Sequence, residues 1–249
     1  MENRNLANVN DAQEMISLAR EGTHEKIIQL LQDQKRGKLL DVPAGTGLLL
    51  TMIKESGFEC YGCDINVDGF KAKDMKFSEG NLNKGLPYEA DYFDYITCID
   101  GLEHLENPHN AIREFKRIIK KGGKLFISIP NYLNIERRMK YLITGSFTKP
   151  VSQKMFKERF NCNTAMMHIN LIGYPLLRFL LESNDFYITK LDIDKRKPKM
   201  IFLSPITALI KLYCRFWPKK TKERYWLKET LSKEIFLGGN TLIVVAAKQ

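Results

Sequence analysis

Short apolar runs alternate with polar turns and with segments of helical spacing along most of the chain. Apolar residues recur every three or four positions between Met15 and Leu31, which predicts one or two helices there, and Pro108 fits the first turn of another helix. The apolar runs predict strands within residues 39–42, 58–64, 75–82, 93–105, 121–131, 186–191 and 240–247. Strands that alternate with helices predict an α/β fold with a doubly wound, mostly parallel sheet.

The turn after the first predicted strand is built for close contact with a ligand. The strand ends at Asp41, and the turn that follows contains Gly45 and Gly47. Glycine allows the backbone to approach a nucleotide-like ligand without a Cβ in the way. The second strand ends in Asp64, about twenty residues further on, where a carboxylate can accept both hydroxyls of a ribose.

The ordered motifs resemble the class I S-adenosylmethionine-dependent methyltransferases. One branch of that family carries Leu-Glu-His after the fourth strand and Pro-Asn after the fifth, and Leu102-Glu103-His104 and Pro130-Asn131 stand at those places here. The resemblance covers roughly residues 38–192 and departs at Pro43, where the family usually has glycine. It implies S-adenosyl-L-methionine as the cofactor.

The residue pattern and the resemblance together predict a domain layout. The expected fold is a Rossmann-like, seven-stranded, mostly parallel sheet with an antiparallel last strand, plus helical insertions that form a lid. Helices would occupy residues 1–36, and the cofactor-binding domain residues 37–131 and 168–249. The lid insertion would span residues 132–167, and a second helical insertion residues 194–237.

Nine residues are implied as cofactor contacts. The loop after the first strand would line the methionine end, Asp64 would hold the ribose, and the remaining residues would meet the adenine or lie beneath the methionine portion. In chain order they are Asp41, Ala44, Gly45, Gly47, Asp64, Ile65, Asn81, Leu82 and Cys98.

A second group of residues is a candidate for the chemistry. Asp100, Glu103 and His104 follow the predicted fourth strand, and His168 begins a segment with a helical pattern that we expect before the sixth. Three interpretations stay open. The four residues bind a divalent metal such as Mg²⁺, as the similar pattern does in small-RNA 2′-O-methyltransferases and ubiquinone-pathway O-methyltransferases; or His104 or His168 acts as a metal-free general base; or the residues only stabilise the loop.

Composition indicates what kind of partner the protein binds and where in the cell it is found. The formal net charge of +10 favours an anionic partner, or else reflects a lysine-rich proteome. Five cysteines without regular spacing are typical of reduced thiols, and no run approaches the roughly 18 apolar residues of a membrane span. We therefore expect a cytoplasmic protein.

One segment of the second insertion stands out. Residues 200–217 are apolar with aromatic ends, and Lys195-Arg196-Lys197 and Lys219-Lys220 flank them. That profile is typical of a helix lying in the plane of a membrane surface. The alternative interpretations are a buried lid helix and a dimer contact.

The predicted activity is methyl transfer to an oxygen of a small molecule, lipid or glycan. Oxygen is preferred because a histidine-lined site suits removal of a hydroxyl proton, and the motif typical of nitrogen acceptors is replaced by Cys98-Ile99-Asp100-Gly101. Two alternatives remain: RNA 2′-O-methylation, although no RNA-binding module is recognisable and nucleic acid is an unfavoured partner, and a cofactor-binding scaffold without activity. A peripheral contact with the inner face of the membrane would suit a lipid-carried substrate.

Overall fold

The computed structural model describes residue 17, residues 19–163 and residues 167–249. Seven strands form one sheet: β1 (Lys38–Asp41), β2 (Glu59–Asp64), β3 (Lys76–Glu79), β4 (Phe93–Cys98), β5 (Ile119–Pro130), β6 (Phe186–Ile193) and β7 (Thr241–Lys248). Part of the predicted N-terminal helical stretch, residues 1–16 and 18, and residues 164–166 of the predicted lid lie outside the described residues.

The strand order is β3-β2-β1-β4-β5-β7-β6. Neighbours from β3 through β5 pair in parallel, whereas β7 runs antiparallel to both β5 and β6. This arrangement confirms the predicted Rossmann-like sheet and its antiparallel last strand. The chain turns outward in opposite directions from β1 and β4, so a crevice opens at the carboxyl ends of these two strands.

Helices cover both faces of the sheet. The helices are α1 (Thr23–Gln32), α2 (Leu48–Ile53), α3 (Pro108–Ile118), α4 (Ile135–Thr144), α5 (Gln153–Phe160), α6 (Tyr174–Glu182), α7 (Ser204–Arg215), α8 (Lys219–Arg224) and α9 (Leu227–Thr230). Apolar residues of α1 and α2 pack in one core cluster, and those of α3 and α6 pack in another. In α3 the buried residues Ala111, Ile112, Phe115 and Ile118 share one helical face, which explains why this segment is a helix with one side on the sheet.

A third apolar cluster lies outside the sheet. Ile135 of α4, Met200 and Phe236 are buried together, and Met139, Leu203 and Ile210 pack against them. The residues after β5 and those between β6 and β7 are therefore joined by a core of their own. The division of the chain into a domain and two insertions stays a prediction.

Asn131, from the Pro-Asn motif, fastens this outer layer to the sheet. Its side chain is buried, and its amide nitrogen donates to the carbonyl of Ile235 at 2.9 Å and to that of Glu234 at 3.4 Å. Its carbonyl oxygen accepts from the amide of Leu133 at 3.3 Å. The asparagine therefore fixes the chain direction where β5 ends.

Replacing this asparagine should destabilise the protein. In Asn131→Ala the buried Ile235 carbonyl loses its donor, which costs about 1–3 kcal/mol of unfolding free energy. Urea unfolding followed by circular dichroism measures the loss. The exposed Gln153→Ala serves as control and should stay within about 0.5 kcal/mol of the parent; equal stability of the two variants would contradict a structural role for Asn131.

Candidate functional site

The loop between β1 and α2 forms one wall of the crevice. Gly45 and Gly47 both have positive φ angles, 53° and 81°. A Cβ on Gly47 would lie 2.6 Å from the Cβ of Ala72 and 2.7 Å from the ring of Phe70. Glycine is therefore required at position 47 both by its left-handed backbone and by close packing.

Asp64 holds this loop from the neighbouring strand. The amide of Gly45 donates to its Oδ2 at 2.8 Å, and the amide of Asn66 donates to its Oδ1 at 2.9 Å. The residue is only 7% exposed. Because an ionised carboxylate has about four acceptor positions, it can still accept from the hydroxyls of a ribose.

Ile65 directly follows this buried acid and is 61% exposed. A large apolar side chain in solvent next to a fixed carboxylate offers a flat, apolar base a surface beside the sugar. The glycine loop, Asp64 and Ile65 together fit the nucleoside part of S-adenosylmethionine.

The other residues implied for the adenine and methionine are packed more deeply. The side-chain oxygen of Asn81 accepts from the amide of Asn83 at 2.9 Å, so it closes a turn after β3. Leu82 and Cys98 belong to the buried core, and Ala44 is 7% exposed. Burial is the main reason why the pKa of the Cys98 thiol is raised well above its usual value. The roles of these four residues in cofactor binding stay predictions.

Asp41 is a buried acid at the centre of the crevice. The hydroxyl of Thr97 on β4 donates to its Oδ1 at 2.6 Å. Burial raises the pKa of Asp41 to about 7; the Thr97 hydrogen bond opposes the rise, and the negative charge of Asp64 adds to it. Near neutral pH this group exchanges a proton readily, whereas an ordinary aspartate is ionised.

Glu103, His104 and His168 meet at the same edge of the sheet. One donor atom from each lies within 4.8 Å of the others. The two imidazole rings are 4.8 Å apart between centroids and nearly perpendicular, at 89°. Among the described residues the carboxylate of Asp100 is not part of this set, so the structure brings together three of the four predicted residues.

Hydrogen bonds of Asn170 hold the segment of His168 next to Glu103, although the two lie far apart in the sequence. The amide of Asn170 donates to the carbonyl of Glu103 at 3.0 Å, and the Asn170 side chain donates to the carbonyl of Leu105. The hydroxyl of Tyr132 lies 3.3 Å from Nδ1 of His168. Sequence reasoning missed both Tyr132 and Asn170, although Tyr132 directly follows the Pro-Asn motif.

Burial shifts the pKa values of Glu103 and His168 in opposite directions. Burial, and secondarily the negative charge of Asp100, raises the pKa of Glu103 to about 8. Both carboxyl oxygens of Glu103 are buried, and no hydrogen bond from a described residue reaches either of them. Burial and the neighbouring His104 lower the pKa of His168, which is therefore a neutral imidazole at pH 7.

Asp100 stands beside the cluster and is fixed by β5. The hydroxyl of Ser128 donates to its Oδ1 at 2.6 Å and accepts from its amide at 2.8 Å. Its negative charge also reaches His24 of α1, whose pKa is lowered mainly by burial. Nothing in the sequence around His24 indicated that α1 contributes an imidazole near this site.

The donor set can be compared with the needs of a metal. One carboxylate and two imidazoles within reach of each other fit a divalent transition metal better than Mg²⁺, which prefers oxygen ligands. A metal held by Glu103, His104 and His168 would lower the pKa of an accepting hydroxyl. Because Glu103 is protonated at pH 7, such binding would first have to displace a proton.

The sheet and crevice are those of a nucleoside-binding α/β protein, and comparison with known sequences identifies the family. A sequence model of the methyltransferase domain matches residues 15–191, more than half of the chain. The chain therefore belongs to this family and is an S-adenosylmethionine-dependent methyltransferase.

The individual proteins that match this chain have low sequence identity to it. The demethylmenaquinone methyltransferase of Bacillus mycoides is 29% identical over 164 residues, which cover 59% of this chain and 68% of that protein. The ubiquinone biosynthesis O-methyltransferase of Glaesserella parasuis is 30% identical over 107 residues, 38% of this chain and 45% of that protein. The second match thus spans less than half of the relative's length.

Solved structures share the fold. An S-adenosylmethionine-dependent methyltransferase from Archaeoglobus fulgidus aligns over 91% of this chain and 95% of its own, with a TM-score of 0.56 and 18% identity. Phosphoethanolamine N-methyltransferase 2 of Haemonchus contortus, solved with S-adenosylmethionine, aligns over 90% of this chain and 52% of its own, with a TM-score of 0.53 and 15% identity.

Removing the Asp64 carboxylate should weaken cofactor binding. Two ribose hydroxyls would lose a charged acceptor, and each such hydrogen bond contributes about 1.5–3 kcal/mol, so Asp64→Ala should bind S-adenosylmethionine about 100-fold or more weakly in calorimetry. Glu59→Ala, at the other end of β2, is the matched control and should bind as the parent does. Equal affinity of Asp64→Ala and the parent would remove Asp64 from the cofactor site.

Proposed function

We propose that this enzyme methylates a hydroxyl oxygen and that His168 is the general base. The observation that carries the proposal is the meeting of a neutral His168 with His104 and Glu103 beside the predicted cofactor site. A neutral imidazole can accept a hydroxyl proton near pH 7.

Bound S-adenosylmethionine supplies an electrophilic methyl group on a positively charged sulfur. As the substrate oxygen forms its bond to the methyl carbon, the carbon–sulfur bond breaks and its electron pair stays on sulfur. His168 accepts the hydroxyl proton at Nε2. Much of the rate comes from holding the oxygen in line with the breaking bond and from excluding water.

Tyr132 is a positioning residue in this scheme. The Tyr132 hydroxyl lies 3.3 Å from Nδ1 of His168. In this scheme Nδ1–H donates a hydrogen bond to the Tyr132 oxygen, so that the lone pair is on Nε2. The nearly perpendicular ring of His104 limits how far the His168 ring can tilt. Together they aim the base into the crevice.

A metal-free reaction is favoured over a metal-assisted one. Burial raises the pKa of Glu103 to about 8, which favours the protonated carboxyl near pH 7. A cation would have to expel that proton before it bound. Metal assistance by Glu103, His104 and His168, with Asp100 nearby, is the second candidate.

An acidic or lipid-carried hydroxyl compound is the substrate class that we favour. The residues of the predicted lid, 132–167, include seven Lys or Arg and two Glu, and the positive charge of Arg137 reaches His168. Two relatives are named for demethylmenaquinone methylation and for O-methyl transfer in ubiquinone biosynthesis. A glycan hydroxyl or a small anionic molecule fits the same chemistry, and we place the enzyme in the cytoplasm.

Transfer of labelled methyl groups into cell extract tests the activity. We expect the label from S-adenosylmethionine to enter a product that extracts with organic solvent or binds anion exchanger, and to resist mild alkali because methyl ethers are stable where methyl esters are cleaved. Label in RNA would support the 2′-O-methyltransferase alternative. Tight cofactor binding without any transfer would support a scaffold.

The pH profile tests the base. Since protonated His168 cannot accept a proton and its pKa is lowered, kcat/KM should rise with pH through an apparent pKa below 6.5 and then level off. In His168→Ala, kcat should fall about 10²- to 10⁴-fold and this acid limb should disappear. Steady-state rates between pH 5 and 9 are the measurement.

Two controls separate the base from the alternatives. Tyr132→Phe keeps the imidazole, so it should retain the acid limb while kcat falls about tenfold and KM stays unchanged. EDTA should leave the parent rate unaffected. Loss of activity in EDTA with recovery in Mn²⁺ or Mg²⁺ would establish the metal interpretation, and a fully active His168→Ala would remove His168 from the chemistry.

A further inference from the structure

Helix α7 and the helical turn just before it carry two apolar stripes on opposite sides. One stripe faces the protein: Thr207 is buried, and Leu203 and Ile210 pack on the third apolar cluster. The other faces solvent, with exposed fractions of 81% for Phe202, 36% for Ile206, 66% for Leu209, 68% for Tyr213 and 79% for Phe216. The spacing of this second stripe, alternately four and three residues, is that of one helix face.

Helix α4 extends the exposed stripe. Its residue Met139 packs on the same cluster as Leu203 and Ile210. Leu142 and Ile143 follow one turn later on the same side of α4, yet they are 76% and 77% exposed. We call these seven exposed residues the α4/α7 surface; they are Leu142, Ile143, Phe202, Ile206, Leu209, Tyr213 and Phe216.

The chain around this surface is strongly basic. Residues 195–222 contain nine Lys or Arg and no Asp or Glu. Lys211 and Arg215 lie exposed on α7 itself, and Lys219 and Lys220 follow at its end. A large apolar stripe beside several exposed cations is not expected for a surface that faces only water.

We propose that the α4/α7 surface docks on an anionic lipid bilayer. The apolar stripe would enter the headgroup region, while the flanking cations pair with lipid phosphates. Phe202 and Phe216 lie at the two ends of the stripe, with Trp217 next to the second, and aromatic rings favour the membrane–water boundary. Among the described residues no helix is long and apolar enough to span a membrane, so α7 would lie in the plane of the surface.

A second copy of the chain would cover this surface poorly. A two-fold dimer places the same patch of both copies face to face, and here it would bring the exposed cations Lys211, Arg215 and Lys220 of one copy against those of the other. A bilayer that contains acidic phospholipids supplies both the apolar interior and the opposite charge.

Docking would also bring the candidate site to the lipid. Helix α4 begins three residues after Tyr132, and Arg137 in its first turn acts on His168. The C-terminal end of the same helix carries Leu142 and Ile143. If the proposed hydroxyl methylation holds, a lipid-carried substrate could reach His168 along α4; the docking itself does not depend on that activity.

Sedimentation with vesicles tests the proposal. The whole protein should bind vesicles of phosphatidylcholine mixed with phosphatidylglycerol, and bind phosphatidylcholine alone at least about tenfold more weakly. The double variant Phe202→Ser/Phe216→Ser should bind the mixed vesicles about tenfold or more weakly than the parent, because two aromatic anchors are lost. Phe179→Ser removes a ring of α6 that is 55% exposed and should bind as the parent does.

Charge reversal and a fluorescence reading complete the test. Lys219→Glu/Lys220→Glu should also lose about tenfold or more in affinity, whereas Lys121→Glu, in the turn within β5, should change it little. With Trp226→Phe as background, Trp217 is the remaining tryptophan, and its emission should shift to the blue on mixed vesicles. Each variant should keep its calorimetric affinity for S-adenosylmethionine, which separates failed docking from a failed cofactor site.

Two results would overturn the proposal. The first is equal binding of the parent and Phe202→Ser/Phe216→Ser to mixed vesicles, or no binding by either. The second is a parent dimer in sedimentation velocity that the double variant converts to monomer without any vesicle binding, since a second copy would then cover the surface.

Discussion

The hydrogen bond from the Gly45 amide to the Asp64 carboxylate joins the two strand ends that shape the crevice. It bends the loop after β1 toward β2, while the Thr97 hydroxyl ties Asp41 to β4 on the other side. Three adjacent parallel strands are thus fastened to one another by polar groups at their carboxyl ends. Because both bonds join groups of the chain itself, the shape of this part of the crevice does not depend on contacts with a ligand.

The reacting side of the crevice depends on a different constraint. Asn170 attaches the segment of His168 to the turn that carries Glu103, and Gly101 allows that turn to pack tightly, because a Cβ there would lie 2.5 Å from Cδ of Pro43. The two loops are far apart in the chain, and one backbone hydrogen bond and one bond from the Asn170 side chain hold them together. Pro43, which departs from the family's usual glycine, therefore packs directly against this turn.

Local sequence was sufficient to locate the strands along the chain and the acids at the ends of β1 and β2, because burial periodicity and turn residues act over a few positions. It also grouped Glu103, His104 and His168 correctly, through the family resemblance. Three interactions join residues far apart in the chain, so no local pattern encodes them: those of Asn170 with the Glu103 turn, of Tyr132 with His168, and of His24 with Asp100. For α7, the apolar pattern alone could not tell which of the two stripes faces outward.

The two-sided helix α7 has a consequence for how the protein behaves in solution. Its outward apolar stripe would favour aggregation. The positive net charge makes neighbouring molecules repel one another, which keeps their stripes from meeting. At physiological ionic strength this repulsion already fades beyond about 8 Å, and concentrated salt shortens it further. The purified enzyme should therefore resist aggregation best in dilute buffers and aggregate more as salt is added.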